Sequence, residues 1–326
     1  MHGCEASLFS SVGGHSGCRR RTWPENQIFH LDMNDLADRI ECRLRDADRL
    51  RRPRWRYRQL SINIPPRPLN AGHSRRKGNF MDRAILVTWY DLVDAQKAAH
   101  LDWLHGEHLP ALAAVNGHAW VAHYEITGGS PEFMERNAKN IDHTTDASIP
   151  SGAQFILMIG ASSPWTFVHD TASSRPEQRP AAEQARIGER LRGRTAIFID
   201  EERYNGPDAS VTTRGGAPGP AIQFGCYSMP NVESEFGLIE FYALRRGPMM
   251  ARYPGCIGMR KLVAVAGHAR HGVLYEFISL DARAQFEAEE YRDHDRKRSS
   301  HAATVNRTIH LPGSPSIGRR IWPPVA

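Results

Sequence analysis

The stretch HLDWLHGEHLPALAAVNG, His100–Gly117, aligns without a gap with LIEFYALRRGPMMARYPG, Leu238–Gly255, at an offset of 238 − 100 = 138 residues. The matched positions share chemistry: Asp102 with Glu240, Trp103 with Phe241, Pro110 with Pro248 and Gly117 with Gly255. Upstream, Tyr90 aligns with Tyr227 at an offset of 137. Self-similarity at a fixed long period indicates a repeated structural unit. The chain is therefore predicted to contain one unit twice.

Strand and helix signals surround this repeat in the order β-α-β-β-α-β in each half. β-branched and aromatic runs predict strands, and Asn-Gly or Pro-Gly predicts a helix end. The first set is predicted at Ala84–Tyr90, Asp94–Ala114, His118–Ile126, Gln154–Ala161, Pro180–Leu191 and Thr195–Ile199. The second is predicted at Ala221–Ser228, Glu233–Tyr253, Ile257–Val265, Gly272–Leu280, Asp281–Arg296 and Thr304–His310. This order, found twice, predicts an α+β fold of two tandem ferredoxin-like units at residues 81–205 and 206–326.

Three segments are predicted to lie outside these elements. Residues 128–150 are polar and contain Gly and Pro, which predicts a long loop. The Pro-rich segment Leu311–Ala326 is predicted to wrap over the fold or a partner without forming an element of its own. Asp281 is predicted to cap the helix that follows it, because its carboxylate can accept hydrogen bonds from the first turn.

Residues 1–80 differ from the rest in charge. They contain 16 Lys and Arg against 8 Asp and Glu, so the remainder has 42 − 16 = 26 basic and 36 − 8 = 28 acidic groups. The basic balance thus belongs to this segment, which is predicted to be a disordered extension. Three interpretations are open: an arm that touches nucleic acid or an acidic surface, neutral disorder, or a non-native start with translation beginning at Met81. Nucleic acid is the less favoured partner, since aromatic residues are sparse among the arginines.

Cysteine usage and hydropathy indicate the cellular compartment of the protein. None of the five cysteines forms a CxxC pair, which argues against a disulfide framework or a zinc site. Cys226 and Cys256 are interpreted as small buried residues. No run of 18 apolar residues and no secretory signal is present. These features predict a protein of the reducing cytoplasm that does not enter the membrane.

The first repeated helix carries the pattern W-x-x-x-E-H-x-P followed by a glycine turn, namely Trp103, Glu107, His108, Pro110 and Gly117. This pattern resembles the EthD-like branch of the dimeric α+β barrel superfamily. The resemblance implies that the two units pack sheet to sheet into a barrel within the chain. Further pairing into a homodimer stays open, because exposed sheet edges favour it. In the second copy Arg246 replaces the histidine, so the two halves are not expected to be equivalent.

His108 is the predicted catalytic residue, because an imidazole can take and return a proton near neutral pH. Glu107 is a poor partner, since adjacent helix residues point about 100° apart; His105, three residues earlier, shares the face of His108. The alternative is that His108 only packs the helix onto the sheet. A metal site is not predicted, because the spacing of His100, His105 and His108 does not match known ligand pairs. His118 and His123 are predicted to face opposite sides of their strand.

A second set of residues is predicted to contact substrate. It comprises Trp89, Trp103, His105, Tyr124, Tyr242, Arg246 and Arg260. The aromatic members suit an apolar pocket, although such residues are also ordinary core residues. Arginines suit a carboxylate or enolate oxygen, whereas Arg260 alternatively pairs with Glu276 across neighbouring strands.

Two functions compete at this stage. The first is a cofactor-free enzyme that acts on a small aromatic or polyketide-like substrate inside one half-barrel. His108 would be its acid/base, and Tyr124 or an arginine would stabilise oxygen charge. Dehydration, decarboxylation, cyclisation and oxygenation all fit. The alternative is a non-catalytic barrel that holds a ligand or haem. The superfamily is functionally broad, so the resemblance does not choose between the two.

Overall fold

The computed structural model describes residues 82–169, 179–211, 216–296 and 307–325, and all of them belong to the unit His73–Ala326. The expectations for residues 1–80 lie outside the described residues. Within those described ranges, no helix is long and apolar enough to cross a membrane.

The first half of the described chain contains five strands and a split helix. Strand β1 is Ala84–Asp91, and helix α1 is Asp94–Trp103. A five-residue π-helical turn, Leu104–His108, leads into α2. The remaining elements are α2 (Leu109–Ala114), β2 (His118–Ile126), α3 (Pro131–Asn140), β3 (Asp142–His143), β4 (Phe155–Ala161), α4 (Trp165–His169), α5 (Ala181–Gly188) and β5 (Leu191–Asn205).

The second half repeats this order. After a short 3₁₀ turn at Ala209–Val211, β6 is Ala221–Ser228 and α6 is Val232–Phe241. A π-helical turn follows at Tyr242–Arg246, 138 residues after the first one. The remaining elements are α7 (Gly247–Met250), β7 (Cys256–Ala266), β8 (His271–Phe277), α8 (Leu280–Arg296), β9 (Ile309–His310) and β10 (Ser316–Trp322).

The strands form a closed antiparallel barrel of eight strands, with β9 and β3 attached beside it. The order β2-β4-β1-β5 in the first half matches β7-β8-β6-β10 in the second. Each half ends in a strand that joins the other half: β5 pairs with β1 and β7, and β10 pairs with β6 and β2. Closure removes free sheet edges from the barrel. The α+β fold class expected from the sequence is confirmed, with four barrel strands from each half.

Strand alternation sorts the buried residues into an interior and two outer layers. Ile85, Val87 and Trp89 of β1 point inward, where Trp89 meets Phe224 edge to face at 5.5 Å. Tyr90 and Leu86 point outward, into the layer under α1 and α2. A separate layer packs α6 and α8 against the second half. The interior is thus filled by apolar side chains from both halves.

Several sequence expectations were wrong in detail. The last barrel strand is β10, inside the segment interpreted as a wrapping tail, whereas Ile309–His310 is only a two-residue strand beside the barrel. The predicted loop 128–150 contains α3 and β3. Ser279, not Asp281, caps α8, because its hydroxyl accepts from the backbone N–H of Ala282.

One end of the barrel carries a buried ion cluster. Arg260, whose side chain is 3% exposed, donates to Asp82 and Asp200 at 2.8 Å, and Arg203 donates to the same two carboxylates. Glu276 instead accepts from the backbone N–H of Gly219 and lies opposite Gly258. The alternative of a direct Arg260–Glu276 pair was therefore wrong.

We expect Asp82→Ala to destabilise the fold by about 3–5 kcal/mol, because it leaves the buried Arg260 guanidinium partly unpaired. The matched control is Glu125→Ala, which removes the carboxylate of an exposed pair with Arg319. That pair contributes about 0–1 kcal/mol. Urea midpoints of the two variants provide the measurement, and equal midpoints would mean that the cluster is not needed for stability.

Candidate active site

The candidate site lies between the helices of the first half and the outer face of its sheet. The side chains of Trp120 and Tyr124 on β2 point into the barrel, so His123, between them in the alternation, points out toward the helices. There it lies beside Tyr90 of β1 and Phe155 of β4, both fully buried. The π-helical turn above this face supplies His105 and His108. Five aromatic and imidazole rings thus come together from four separate elements.

His108 is held by a carboxylate and an indole. Its side chain is 5% exposed; Nδ1 lies 3.2 Å from Oε1 of Glu183 on α5, and its ring stacks on Trp103 at 4.8 Å. Burial lowers the pKa of His108 to about 3, and the positive charges of Arg190 and Arg179 act in the same direction. The imidazole is therefore neutral at neutral pH. Glu107 is exposed, in agreement with the expectation that it is no partner.

A hydrogen-bonded chain runs from the buried sheet face toward the surface. The Tyr90 hydroxyl lies 2.8 Å from Nε2 of His123, and Nδ1 of His123 lies 2.8 Å from Nε2 of His105. Burial raises the pKa of Tyr90 to about 12 and lowers that of His123 well below its usual range. A neutral His123 carries one N–H, so it donates to one neighbour and accepts from the other. The chain therefore has two protonation arrangements that differ by a concerted proton shift.

The third histidine of the helix is also paired. His100 is fully buried, and its Nδ1 lies 2.8 Å from the Glu189 carboxylate at the end of α5. Burial lowers the pKa of His100, although the hydrogen bond to Glu189 opposes the shift. Next along the chain, the guanidinium of Arg190 lies over the Tyr90 ring at 4.6 Å. Residues on both sides of this junction between α5 and β5 thus line the same site.

The residues expected to contact substrate do not converge. His108, Trp103 and His105 lie in the candidate site. Trp89 and Tyr124 point into the barrel. The Tyr124 hydroxyl donates to the carbonyl oxygens of Pro218 and Gly219, so the sheet separates it from His108. The idea that Tyr124 assists His108 inside a half-barrel was therefore wrong.

The other three expected residues lie elsewhere. Tyr242 and Arg246 lie under the helices of the second half, where Arg246 is packed over Phe241, Tyr275 and Phe286. Arg260 lies in the barrel-end cluster and lines a cavity of about 310 Å³. Two carboxylates already balance the charge of Arg260, so Arg260 is not available to bind an anionic ligand in that cavity.

The second half carries different chemistry at the matching place. Lys261 lies 138 residues after His123, and its fully buried Nζ is bonded to Glu201 at 2.9 Å and to Nδ1 of His271 at 3.1 Å. Tyr227, the counterpart of Tyr90, donates to the hydroxyl of Tyr242. The two halves therefore share a backbone plan but not a side-chain site, as the replacement of His108 by Arg246 suggested.

His118 shows how a local irregularity misled the sequence interpretation. It was expected to face the side opposite to His123, but the register of β2 shifts between His118 and Trp120. A bulge adds one residue and reverses the alternation. His118 consequently faces outward too, with Nδ1 at 2.7 Å from the carbonyl oxygen of Leu112.

Five residues of the site were missed: Tyr90, His123, Glu183, Glu189 and Arg190. Only His123 carried a usable signal, because strand alternation relative to Trp120 and Tyr124 assigns it to the outer face. Glu183 lies on the short helix α5, and Glu189 follows it directly. No sequence pattern distinguishes these two residues from ordinary surface residues. Among the described residues, no group of three or more His, Cys, Asp or Glu is arranged to hold a metal ion.

Comparison with known proteins gives fold likenesses only. No family model and no curated protein matches the chain. It is similar to the crystal structure of an anthrone oxidase-like protein, at 13% identity over 74% of this chain and 93% of that one, with a TM-score of 0.43. A candidate chlorite dismutase (14% identity, 74% and 96% covered, TM-score 0.45) and a candidate monooxygenase of Fusobacterium nucleatum (6%, 74% and 94%, TM-score 0.44) are similar as well. At these values the likenesses assign no activity.

Proposed function

We propose that this protein is a small-molecule enzyme of the EthD-like type, in which His108 acts as the general acid/base on an aromatic or polyketide-like substrate. The observation that supports this most is the contact of the buried His108 with the half-buried Glu183, beside the chain His105–His123–Tyr90. A carboxylate at Nδ1 favours the tautomer with Nδ1–H, which leaves the lone pair of Nε2 free to accept a proton.

The surrounding charges suit removal of a proton next to a carbonyl group. Arg190 has the largest charge effect on the pKa of His108, and its cationic field also favours the enolate that proton removal creates. Glu183, 3.2 Å from Nδ1, would stabilise the imidazolium formed at the same time against the burial and the positive charges that lower the pKa of His108 to about 3. His108 would return the proton to the product or to water; among the described residues no hydrogen bond links it to the chain of Tyr90, His123 and the half-buried His105.

The same first step serves several overall reactions. Dehydration, cyclisation and cofactor-free oxygenation of a hydroxyaromatic ketone can each begin with this enolate. Decarboxylation instead forms the carbanion as carbon dioxide leaves, and a proton delivered by His108 would then replace the carboxyl group. We place the enzyme in a reducing cytoplasm, where the buried free thiols of Cys226 and Cys256 would persist. We also infer that residues 81–205 and 206–326 arose by duplication, since the two π-helical turns and strand orders correspond.

The test is turnover by His108→Gln and His108→Ala over a panel of hydroxylated polycyclic ketones. Oxygen uptake, carbon dioxide release and chromatography of the products would identify the reaction. We expect a loss of about 10²-fold or more in kcat for both variants, which is the usual contribution of a positioned acid/base. Glu107→Gln is the control, because it changes the exposed neighbour of His108 and is expected to keep full turnover.

Two results would contradict the proposal. Undiminished turnover in both His108 variants would show that His108 only packs the helix. A Soret band in the purified protein would favour the alternative, a haem-binding barrel, over the cofactor-free reaction.

A further inference from the structure

Arg190 is a buried cation with an unused hydrogen-bonding edge. Its Nε and Nη2 are shielded from solvent and have no hydrogen-bond partner in the described part of the chain. The neighbouring Arg194 also has an unpaired Nε, but both of its terminal nitrogens donate to the carbonyl oxygens of Pro150, Gly152 and Pro312. Buried donors of a charged group are normally satisfied, because leaving them unpaired is costly. The exception at Arg190 points to a group that the site accepts from outside.

The two unpaired nitrogens, Nε and Nη2, form one edge of the planar guanidinium group. Nε–H and the outer N–H of Nη2 are parallel, and their spacing matches the two oxygens of a carboxylate. The face of the same guanidinium is already in contact with the Tyr90 ring. The stacking therefore fixes the position of the guanidinium group, while its Nε–H and Nη2–H donors have no acceptor among the described residues.

The carboxylates nearby are engaged with other partners. Glu183 is bonded to Arg179 and lies against His108. Glu189 is bonded to Arg186 and His100. Among the described residues Arg190 thus has no direct ion pair, and its charge adds to burial in lowering the pKa values of His100, His108 and His123. A site with this surplus of positive charge favours an anionic ligand.

Access to the site requires little loss of packing. Helix α5 covers it with no buried residue of its own. Among the described residues, Glu183 of α5 contacts His108, and Glu189, which follows α5, contacts His100; both contacts are polar. Because no residue of α5 is buried, its displacement would expose little apolar surface. The free-energy cost of admitting a flat ligand in this way is therefore smaller than the cost of opening the barrel.

From these observations we infer that the substrate carries a carboxylate, or two coplanar oxygens of equal spacing, on its aromatic framework, and that Arg190 binds it through Nε and Nη2. The inference rests on the proposed function for the identity of the site, and it adds the substrate class. Arg190 is close enough to His108 for its charge to lower the pKa of that imidazole. An anion bound at Arg190 would therefore also place the adjoining ring atoms next to His108.

The experiment is titration calorimetry with 1-hydroxy-2-naphthoate as the anionic probe and 1-naphthol as the neutral one. For the full-length protein we expect the naphthoate to bind more tightly than the naphthol. Arg190→Gln should weaken naphthoate binding at least tenfold and leave naphthol binding within twofold, a split that general damage to the fold would not produce. Arg190→Lys should also weaken it, since a lysine keeps the charge but loses the fork. Arg319→Gln, which removes an exposed arginine elsewhere, is the control for net charge and should bind as the native protein does.

The inference is overturned if native protein binds neither probe, if it binds both equally, or if Arg190→Lys and Arg190→Gln both retain native affinity for the naphthoate. Its failure differs from that of the proposed function. Arg190-dependent binding without any turnover would support the anion site and refute the enzyme, whereas His108-dependent turnover of neutral substrates alone would do the reverse.

Discussion

A chain that ends at Pro315 is expected to lose cooperative unfolding and to form large oligomers. The missing strand, β10, hydrogen bonds to β6 through Ser316–Arg319 and to β2 through Gly318–Arg320. Its removal opens the barrel, uncovers the interior and leaves two unpaired edges, which are templates for pairing with other chains. It also deletes Ile317, which is 1% exposed.

The measurement is thermal unfolding by calorimetry together with light scattering. A chain that ends at Trp322 is the control, because it keeps all of β10. It loses the carbonyl oxygen of Pro323, which accepts a hydrogen bond from Nε of Arg320. A sharp transition near the native midpoint in the chain ending at Pro315 would mean that these residues are an accessory tail, as their proline content first indicated.

The protein is also expected to lose stability steeply between pH 6.5 and pH 3. Burial lowers the pKa values of His108, His271 and His310 to about 3. In the unfolded chain a histidine takes up a proton near pH 6.5. The folded form of each stays neutral until about pH 3, so the stabilisation is complete above pH 6.5 and is lost as the pH falls.

The size of this effect follows from proton linkage. Each histidine contributes a slope of about 1.36 kcal/mol per pH unit once the unfolded chain is protonated. Three give about 4 kcal/mol per unit, a large share of the 5–15 kcal/mol typical of a folded domain. His123 adds to the slope, while Glu276, whose pKa is raised by burial, opposes it. Asp91, with a lowered pKa, loses its contribution only below about pH 4.

Urea midpoints at pH 7, 6 and 5 provide the test. His271→Gln should flatten the dependence by about a third of the three-histidine slope, whereas Glu107→Gln, at an exposed site, should leave it unchanged. A native midpoint that is constant from pH 7 to pH 5 would show that these histidines are protonated in the folded protein.

Local pattern was enough to predict the strands that carry their own β-branched and aromatic residues. The bounds of β2 and β6 agree with those read from alternation, and the split helices end at the predicted glycine turns. β10 was missed because SIGRRIW contains a glycine and two arginines between prolines, a composition typical of a tail. Only pairing with β2 and β6 makes this segment a strand, and that pairing cannot be read from seven residues.

The site was predictable to the extent that one helix carries it. The motif around His108 led to the prediction that His105 and Trp103 contact the same substrate; Trp103 stacks on His108, and their role in binding stays a prediction. Tyr90, Glu183 and Arg190 come from a strand, a short helix and a strand start that are up to 100 residues apart (190 − 90). Hydropathy predicts which face of its own strand or helix such a residue occupies. It does not predict which other element packs against that face. Tyr124 was misplaced for this reason.

The pairing of β10 with β2 also bears on how fast the protein folds. Arg319 and Glu125 are bonded across 194 residues of chain, and the barrel is not complete until such distant segments meet. Contacts of this separation require a large loop to close before they contribute, which slows folding. During synthesis β2 emerges long before its partner exists, so the first half must wait unfinished for the final strand. Folding of this chain is therefore expected to be limited by a late event at its C-terminal end.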